Sequence, residues 1–482
     1  MATQQQDEAQ GLAPQSIVQI GAKHGPSAFD AIRAPEAAVM DKCVHCGFCL
    51  PACPTYQLWG DEMDSPRGRI WMMRKSAQGD APLDQNFRIH MDNCLGCMAC
   101  MTACPSGVEY NKLIEDTRGQ VERNIPRPVG DSLFRKMLFA TFPYPRRLRW
   151  LGVPMALYQR SGVQKLVRAS GLLKLVPRRF QAMESLLPPV PLNPFHSLPL
   201  TVRPHTGTAL RGRVGMLSGC VQDAFFAHVN AATARVLAAE GFEVVIPRQQ
   251  GCCGALMVHS GLDEQAGDFA RRMIATFEAA GVDTIVINAA GCGSTMKEYG
   301  HLLRDDPAWS ARAQAFAARC KDISEVLLEA GTIASRGPLP LRVAYHDACH
   351  LRHAQGIHEQ PRALLAEVPG LTVEEVPEAS LCCGSAGVYN LLHPETADEL
   401  GDRKVNNLLS TGAEAVVSAN PGCLLQLMSG LRRLGHKEMP TFHMVELLDA
   451  SIRGVSREEL LTGRRSLDVM LGRDAGGAHL TH

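Results

Sequence analysis

Beyond about residue 210 the chain alternates short apolar runs with longer stretches whose apolar positions recur at helical spacing. The runs 213–217, 242–246 and 283–288 read as buried strands, being too short for helices and rich in Val and Ile. Helical stretches at 223–240 and around 266–280 separate them, the first of these rich in Ala. The layout recurs further on, with strands at 341–344 and 413–418. Strand, helix and strand in this order predict an α/β fold with parallel sheets built from crossover units.

The cysteines sharpen this division. Eight fall between Cys43 and Cys104, and nine are spread from Cys220 to Cys423. The second group repeats: Cys349, Cys382 and Cys423 follow Cys220, Cys252 and Cys292 at offsets of 129, 130 and 131, and Cys-Cys-Gly stands at the middle position both times. Two copies of one unit are therefore expected, each gathering its cysteines at strand ends, where open α/β sheets form their sites. The expected order is a flexible extension (1–35), a cysteine-rich domain (36–130), a basic, amphipathic and Pro-rich connector (131–210), two repeats (211–335 and 336–455) and a tail (456–482). The connector's end, from Pro191 to Pro204, reads as an extended linker.

Composition adds limits. With 482 residues, 45% hydrophobic and 20% charged, the chain can bury a large core. Lys plus Arg and Asp plus Glu both number 49, so net charge gives no overall pull toward nucleic acid, and none is expected as a partner. The polar, Gln-rich opening lacks the basic start and apolar core of a secretory signal, so a cytoplasmic location is expected. In that reducing setting, 17 cysteines favour thiolate ligands or redox chemistry over a disulfide scaffold.

Cys43, Cys46, Cys49 and Cys53, followed by Pro54, form C-x2-C-x2-C-x3-C-P, and Cys94, Cys97, Cys100 and Cys104, followed by Pro105, repeat it. Three thiolates so closely spaced converge on three irons of a cubane, and the fourth iron needs a ligand from elsewhere. Structural zinc is the competing reading, but it needs four ligands and not eight in this arrangement. His45 and His90 are alternative ligands, weighed against plain packing or surface roles. Ser65 and Pro66 read as the cap and first turn of a helix through Arg67, Arg69, Ile70 and Met73. Ile70, Met73 or both are expected to cover a cluster. The two arginines either offset its negative charge or are solvated.

The paired motifs resemble those of bacterial two-cluster ferredoxins, in which the fourth Cys of each motif serves the other cluster. That resemblance implies two [4Fe-4S] clusters, one on Cys43, Cys46, Cys49 and Cys104 and one on Cys94, Cys97, Cys100 and Cys53. The repeats, with Cys220, Cys252, Cys253 and Cys292 and then Cys349, Cys382, Cys383 and Cys423, resemble the Cys-Cys-Gly domain of heterodisulfide reductase-like proteins. In that family five cysteines per repeat hold a noncubane cluster. Here Thr295 and Gln426 stand where the fifth would fall, leaving four per repeat as ligands of a further cluster or as buried small side chains. Cys320 reads as a packing residue. His346, His350, His353 and His358 crowd around Cys349, either as proton carriers or as capping and core residues.

The domain order, with Cys43-Val44-His45-Cys46-Gly47-Phe48-Cys49, Cys53-Pro54-Thr55-Tyr56 and Pro66-Arg67-Gly68-Arg69-Ile70, resembles the iron-sulfur subunits of bacterial glycolate oxidases. It implies an oxidoreductase subunit that passes electrons from an FAD-containing partner toward quinone or another acceptor, with substrate oxidation on the partner. The absence of G-x-G-x-x-G after a strand, and of a P-loop, agrees with a flavin held elsewhere. Related iron-sulfur parts occur in lactate-utilisation proteins and anaerobic glycerol-3-phosphate dehydrogenases. A thiol-disulfide enzyme of heterodisulfide reductase type and a zinc scaffold are the rival classes. The connector carries eleven Lys and Arg against two acidic residues between Asp131 and Val190, with Leu and Phe interleaved, which suits either a solvated basic helix or peripheral contact with the inner face of the cell membrane or an acidic subunit.

Overall fold

The computed structural model describes residues 25–190, 198–204 and 207–463. Most of the expected extension and tail, and residues 191–197 of the Pro-rich stretch, lie outside these. Before Thr201 the described residues form helices and turns without a strand, in keeping with an α-helical N-terminal domain. Its central helix, Pro66–Ala77, starts as the sequence predicts: Ser65 Oγ accepts from the Gly68 N–H at 3.0 Å and Pro66 occupies the first turn. Gly68 is required there, because a Cβ would sit 1.9 Å from the Glu62 carbonyl oxygen.

Residues 25–35 are not a free extension. Phe29 packs edge-on against Phe87, and Asp30 accepts from Gln120, Arg123 and Asn124 on the helix Tyr110–Asn124. Burial of an aromatic ring and these charge-assisted bonds outweigh the entropy of the chain end. The connector is helical as well, with helices Val129–Thr141, Pro145–Arg160, Val163–Ser170 and Arg178–Ser185. Pro145 opens a helix, where its missing N–H costs nothing. Phe134, Leu138, Phe139 and Ala182 join the core of the first repeat.

The strands are β1 (Thr201–Val202), β2 (Gly212–Met216), β3 (Phe242–Val245), β4 (Thr284–Ile287), β5 (Cys320–Asp322), β6 (Arg342–His346), β7 (Thr372–Glu374), β8 (Ala415–Ser418) and β9 (Thr441–His443). The first sheet runs β1-β3-β2-β4-β5 and the second β7-β6-β8-β9. Every pairing is parallel except β1 with β3, so β3-β2-β4-β5 and β7-β6-β8-β9 are the same topology twice. The helix expected over 223–240 breaks at Phe226, which leaves helical backbone angles and buries its ring.

The repeats pack reciprocally. Helix Ala227–Ala239 of the first lies on Met444–Ile452 of the second, and Glu359–Ala366 of the second lies on Ile323–Ala330 of the first. One apolar core therefore runs from Val214 and Val244 through Val343 to Val416. Arg235 on Asp449, at 2.6 and 2.8 Å, ties the same seam.

Candidate metal centres

The loop after the helix Ala37–Asp41 carries Cys43, Cys46 and Cys49, and turns at Gly47 with φ of 90°. A cavity of about 30 Å³ opens between these three cysteines, Cys100 and Cys104, with Ile70 and Tyr110 in its wall. Cys100 and Cys104 of the second motif thus stand beside the first three cysteines of the first motif. Ile70 covers this site, whereas Met73 lies in the domain core. Cys46 is exposed, and so are its neighbours Val44 and Phe48.

The second motif is more deeply enclosed. Cys53, Cys94 and Cys97 are buried, and Cys100, itself raised by burial, feels the thiols of Cys97, Cys94 and Cys53 and also that of Cys49. Burial alone would raise the Cys94 thiol. Arg69 and Arg118, the Gly96 N–H at 3.3 Å and the Tyr110 hydroxyl at 3.8 Å outweigh it and hold the thiol below its usual range. Burial keeps the Tyr110 hydroxyl protonated and so able to donate. Four converging sulfurs, two cations and a backbone N–H form a donor set that fits an anionic iron-sulfur cluster.

Arg69 is not solvated. It is 1% exposed, pairs with Asp64 at 2.9 Å, and donates to the carbonyl oxygens of Asp64 and His90 at 2.7 Å each. It also reaches Thr55 Oγ1 at 3.3 Å, which in turn lies 3.2 Å from Cys53 Sγ. Arg67 is half-exposed, bonded to Glu62 and to the His45 carbonyl. His90 sits 3.2 Å from Asp64, and His45 serves the turn with φ of 55°, so both take packing or backbone roles. Arg118, which also donates to the Cys94 carbonyl, carried no sequence signal, because it comes from a helix 24 residues away.

In the first repeat Cys220 follows β2, Cys252 and Cys253 follow β3, and Cys292 lies in the helix after β4. Their thiols are within hydrogen-bonding reach in the order Cys220, Cys252, Cys253, Cys292. The second repeat gathers Cys349, Cys382, Cys383 and Cys423 in the same way, with 3.9 Å between the Cys349 and Cys382 sulfurs. Donation from Cys382 and Cys423, with His346 beside it, holds the Cys383 thiol well below its usual range despite burial. The Asn420 side-chain amide donates to Cys423 Sγ at 3.3 Å. Thr295 and Gln426 are buried. The Gln426 amide is engaged at both ends, accepting from Asn390 at 3.0 Å and donating to the Ala397 carbonyl at 2.8 Å. Cys320 lies on β5, buried, its thiol raised by desolvation.

The histidines divide. His353 bridges the Thr102 hydroxyl and the Ser380 carbonyl at 2.9 Å each, a connecting role between the dicluster region and the second repeat. His358 is partly exposed beside Glu359. His350 lies 3.5 Å from Cys349 Sγ and its ring meets that of His259. His346 is buried against Cys383 and Cys423.

The second repeat touches the dicluster region directly. Cys349 and Cys382 pack in one apolar cluster with Leu95, Cys97 and Ala99, and Tyr389 donates to the Asn93 carbonyl at 3.2 Å. After burial, Cys349 is the strongest influence that raises the Cys97 thiol. Three cysteine sites thus adjoin in series: Cys43/46/49/104, then Cys53/94/97/100, then Cys349/382/383/423.

Fold and site together define an iron-sulfur protein in which a ferredoxin-like dicluster domain is joined to paired cysteine-rich repeats. Family profiles agree, matching the 4Fe-4S dicluster domain at residues 39–108, the linker region of glycolate oxidase iron-sulfur subunits at 130–187, and the cysteine-rich domain at 214–297 and 343–428. The chain is 41% identical to a probable glycolate oxidase iron-sulfur subunit of Bacillus subtilis, over 84% of this chain and 92% of the relative. It is 37% identical to the glycolate oxidase iron-sulfur subunit of Escherichia coli, over 83% of this chain and 93% of that one. Lactate utilization protein A of Bacillus cytotoxicus is 34% identical, over 49% of this chain and 99% of its own length. The chain belongs to the family of glycolate oxidase iron-sulfur subunits.

Proposed function

We propose that this chain carries electrons, one at a time, from a flavin-containing 2-hydroxy-acid dehydrogenase subunit toward quinone, with glycolate as the substrate oxidised on that partner. The observation that supports the reading best is the serial contact of three cysteine sites, above all Cys97 in one apolar cluster with Cys349. When bound, two cubane clusters supply one-electron steps. The chain's own residues fix their spacing by cross-ligation through Cys53 and Cys104, and set their electrostatics through Arg69 and Arg118. Electrons would enter on the side of Cys43, Cys46 and Cys49, whose loop exposes Val44, Cys46 and Phe48 as an apolar docking patch for the flavoprotein.

No helix among the described residues is long and apolar enough to cross a membrane. Membrane contact is assigned to the connector, where Trp150, Leu157, Leu166, Leu172 and Leu175 are exposed beside Arg146, Arg147, Lys165 and Lys174. Lactate oxidation is the second reading, favoured by the relatives named for lactate utilization. Thiol-disulfide chemistry is disfavoured, because Gln426 is hydrogen-bonded where a fifth ligand would stand.

The test is anaerobic rapid mixing of the chain, co-purified with its flavoprotein, against glycolate, lactate and glycerol 3-phosphate. Bleaching of the cluster absorbance by glycolate first, and its slowing by Phe48→Asp, is the expected result. Reduction of a disulfide by the chain alone, with no bleaching by any hydroxy acid, overturns the reading.

A further inference from the structure

The two repeats share strand order and cysteine positions but differ at one place that bears on their chemistry. β6 ends in His346, three residues before Cys349, and the matching position before Cys220 is Leu217. Leu217 packs in the apolar core of the first repeat. His346 is 2% exposed, and neither ring nitrogen has a nitrogen or oxygen partner, leaving the Cys383 thiol as the polar group in reach. Leaving a buried imidazole unsatisfied carries the full cost of removing it from water, so such a group requires a partner. What faces the ring is sulfur: a ring nitrogen of His346 and the sulfurs of Cys383 and Cys423 all lie within 4.8 Å of one another. Cys382 adjoins Cys383, and Cys349 adjoins Cys382, so four thiols and one imidazole converge in a buried space.

We propose that His346 is a ligand of an iron-sulfur centre in the second repeat, shared with Cys383 and Cys423 and completed by Cys349 and Cys382. The proposal rests on the reading that this repeat holds a centre at all. It assigns the fifth donor to a histidine rather than to Gln426, whose amide oxygen and amide nitrogen are each engaged elsewhere. The two repeats then differ in kind. The first offers only thiols, and the second offers thiols and a neutral nitrogen. With a neutral imidazole as fifth donor the centre is less negative than with a fifth thiolate, and its potential is correspondingly higher. A higher potential suits the repeat that abuts Cys97, because it favours electrons leaving the dicluster.

The test uses the full chain, prepared anaerobically with isotopically enriched iron and with heavy-nitrogen-labelled histidine. Mössbauer spectra read every iron irrespective of spin state, and pulsed electron paramagnetic resonance of the reduced protein reads nitrogen bound to iron. The expected result is iron beyond the roughly eight of two cubanes, a distinct iron site in the Mössbauer spectrum and a histidine nitrogen coupling. His346→Leu, which copies Leu217, removes the coupling and the distinct site. His346→Cys removes the coupling but keeps the iron, which separates ligation from a folding defect. Extra iron with no histidine coupling, or a coupling that survives His346→Leu, overturns the ligand assignment. Iron that stops at the complement of the dicluster overturns both.

Discussion

Replacing Arg69 by Met removes a guanidinium that is 1% exposed and packed behind the second cysteine set. Two hydrogen bonds, Arg69 to Thr55 Oγ1 at 3.3 Å and Thr55 Oγ1 to Cys53 Sγ at 3.2 Å, bound the separation of charge and ligand sulfur at about 6.5 Å. At an effective dielectric of about 20, unit charges about 6.5 Å apart interact by about 2.5 kcal/mol. Reduction adds negative charge, so losing this attraction lowers the potential of the second cluster. With about 59 mV for each tenfold change in a one-electron equilibrium, the fall is on the order of 100 mV. Asp64 also loses its partner, and if it remains ionised its carboxylate lowers the potential further, so Arg69→Met is paired with the double substitution Arg69→Met, Asp64→Asn. Arg69→Lys keeps the charge and is expected to hold most of the potential. Breaking this buried pair costs about 3–5 kcal/mol of stability, so iron content is measured alongside. The assay is a redox titration followed by electron paramagnetic resonance under strict anaerobiosis. A potential that is unchanged or raised in the fully loaded Met variant refutes the reasoning.

Other predictions follow from the domain seams and the ligand sets. Asp116 is 1% exposed and receives Arg33 at 3.1 Å and Arg304 at 2.8 Å, so Asp116→Ala strands two cations. A loss of about 3–5 kcal/mol in denaturant unfolding is expected, and a loss below 1 kcal/mol contradicts this. Burial, with Glu298 and Asp116 nearby, pushes Glu115 up to about 8, so the folded state holds a proton that the unfolded state releases near 4.5. Stability therefore falls as pH rises between about 4.5 and about 8, by up to about 1.4 kcal/mol per unit. Glu115→Gln should flatten that slope in unfolding curves across the window, and an unaltered slope counts against it. Cys53→Ser should deplete the second cluster more than the first in Mössbauer spectra, whereas selective loss of the first reverses the ligand sets. Trp150→Glu with Leu166→Glu should abolish co-sedimentation with anionic vesicles, and unchanged binding removes the connector from the membrane.

The cysteine sets were legible because ligand spacing is itself a sequence property, and the repeat offset of about 130 residues announced the duplicated sheets. β5, β7 and β9 were not, since runs such as Cys-Lys-Asp at Cys320–Asp322 carry no strand signal and owe their state to pairing with a neighbour. The anchoring of residues 25–35 was hidden for a similar reason: Asp30 finds Gln120 90 residues away. Pro residues in the connector suggested interruption, yet Pro145 opens a helix and Pro154 lies inside it, because packing outweighs the local preference. The histidines near Cys349 looked alike in sequence. Only the fold separates His353, bonded to Thr102 and Ser380, from His346, beside the sulfurs of Cys383 and Cys423.

The central claim is that eight thiolates near the N-terminus grip two adjacent cubanes. It is tested most directly by determining iron, sulfide and zinc on one anaerobic sample and recording the spectrum of the reduced protein. At least about eight irons with matching sulfide, and signals broadened by two neighbouring clusters, are the result expected. Zinc in place of iron, or a colourless protein without a paramagnetic signal after reconstitution and reduction, contradicts it.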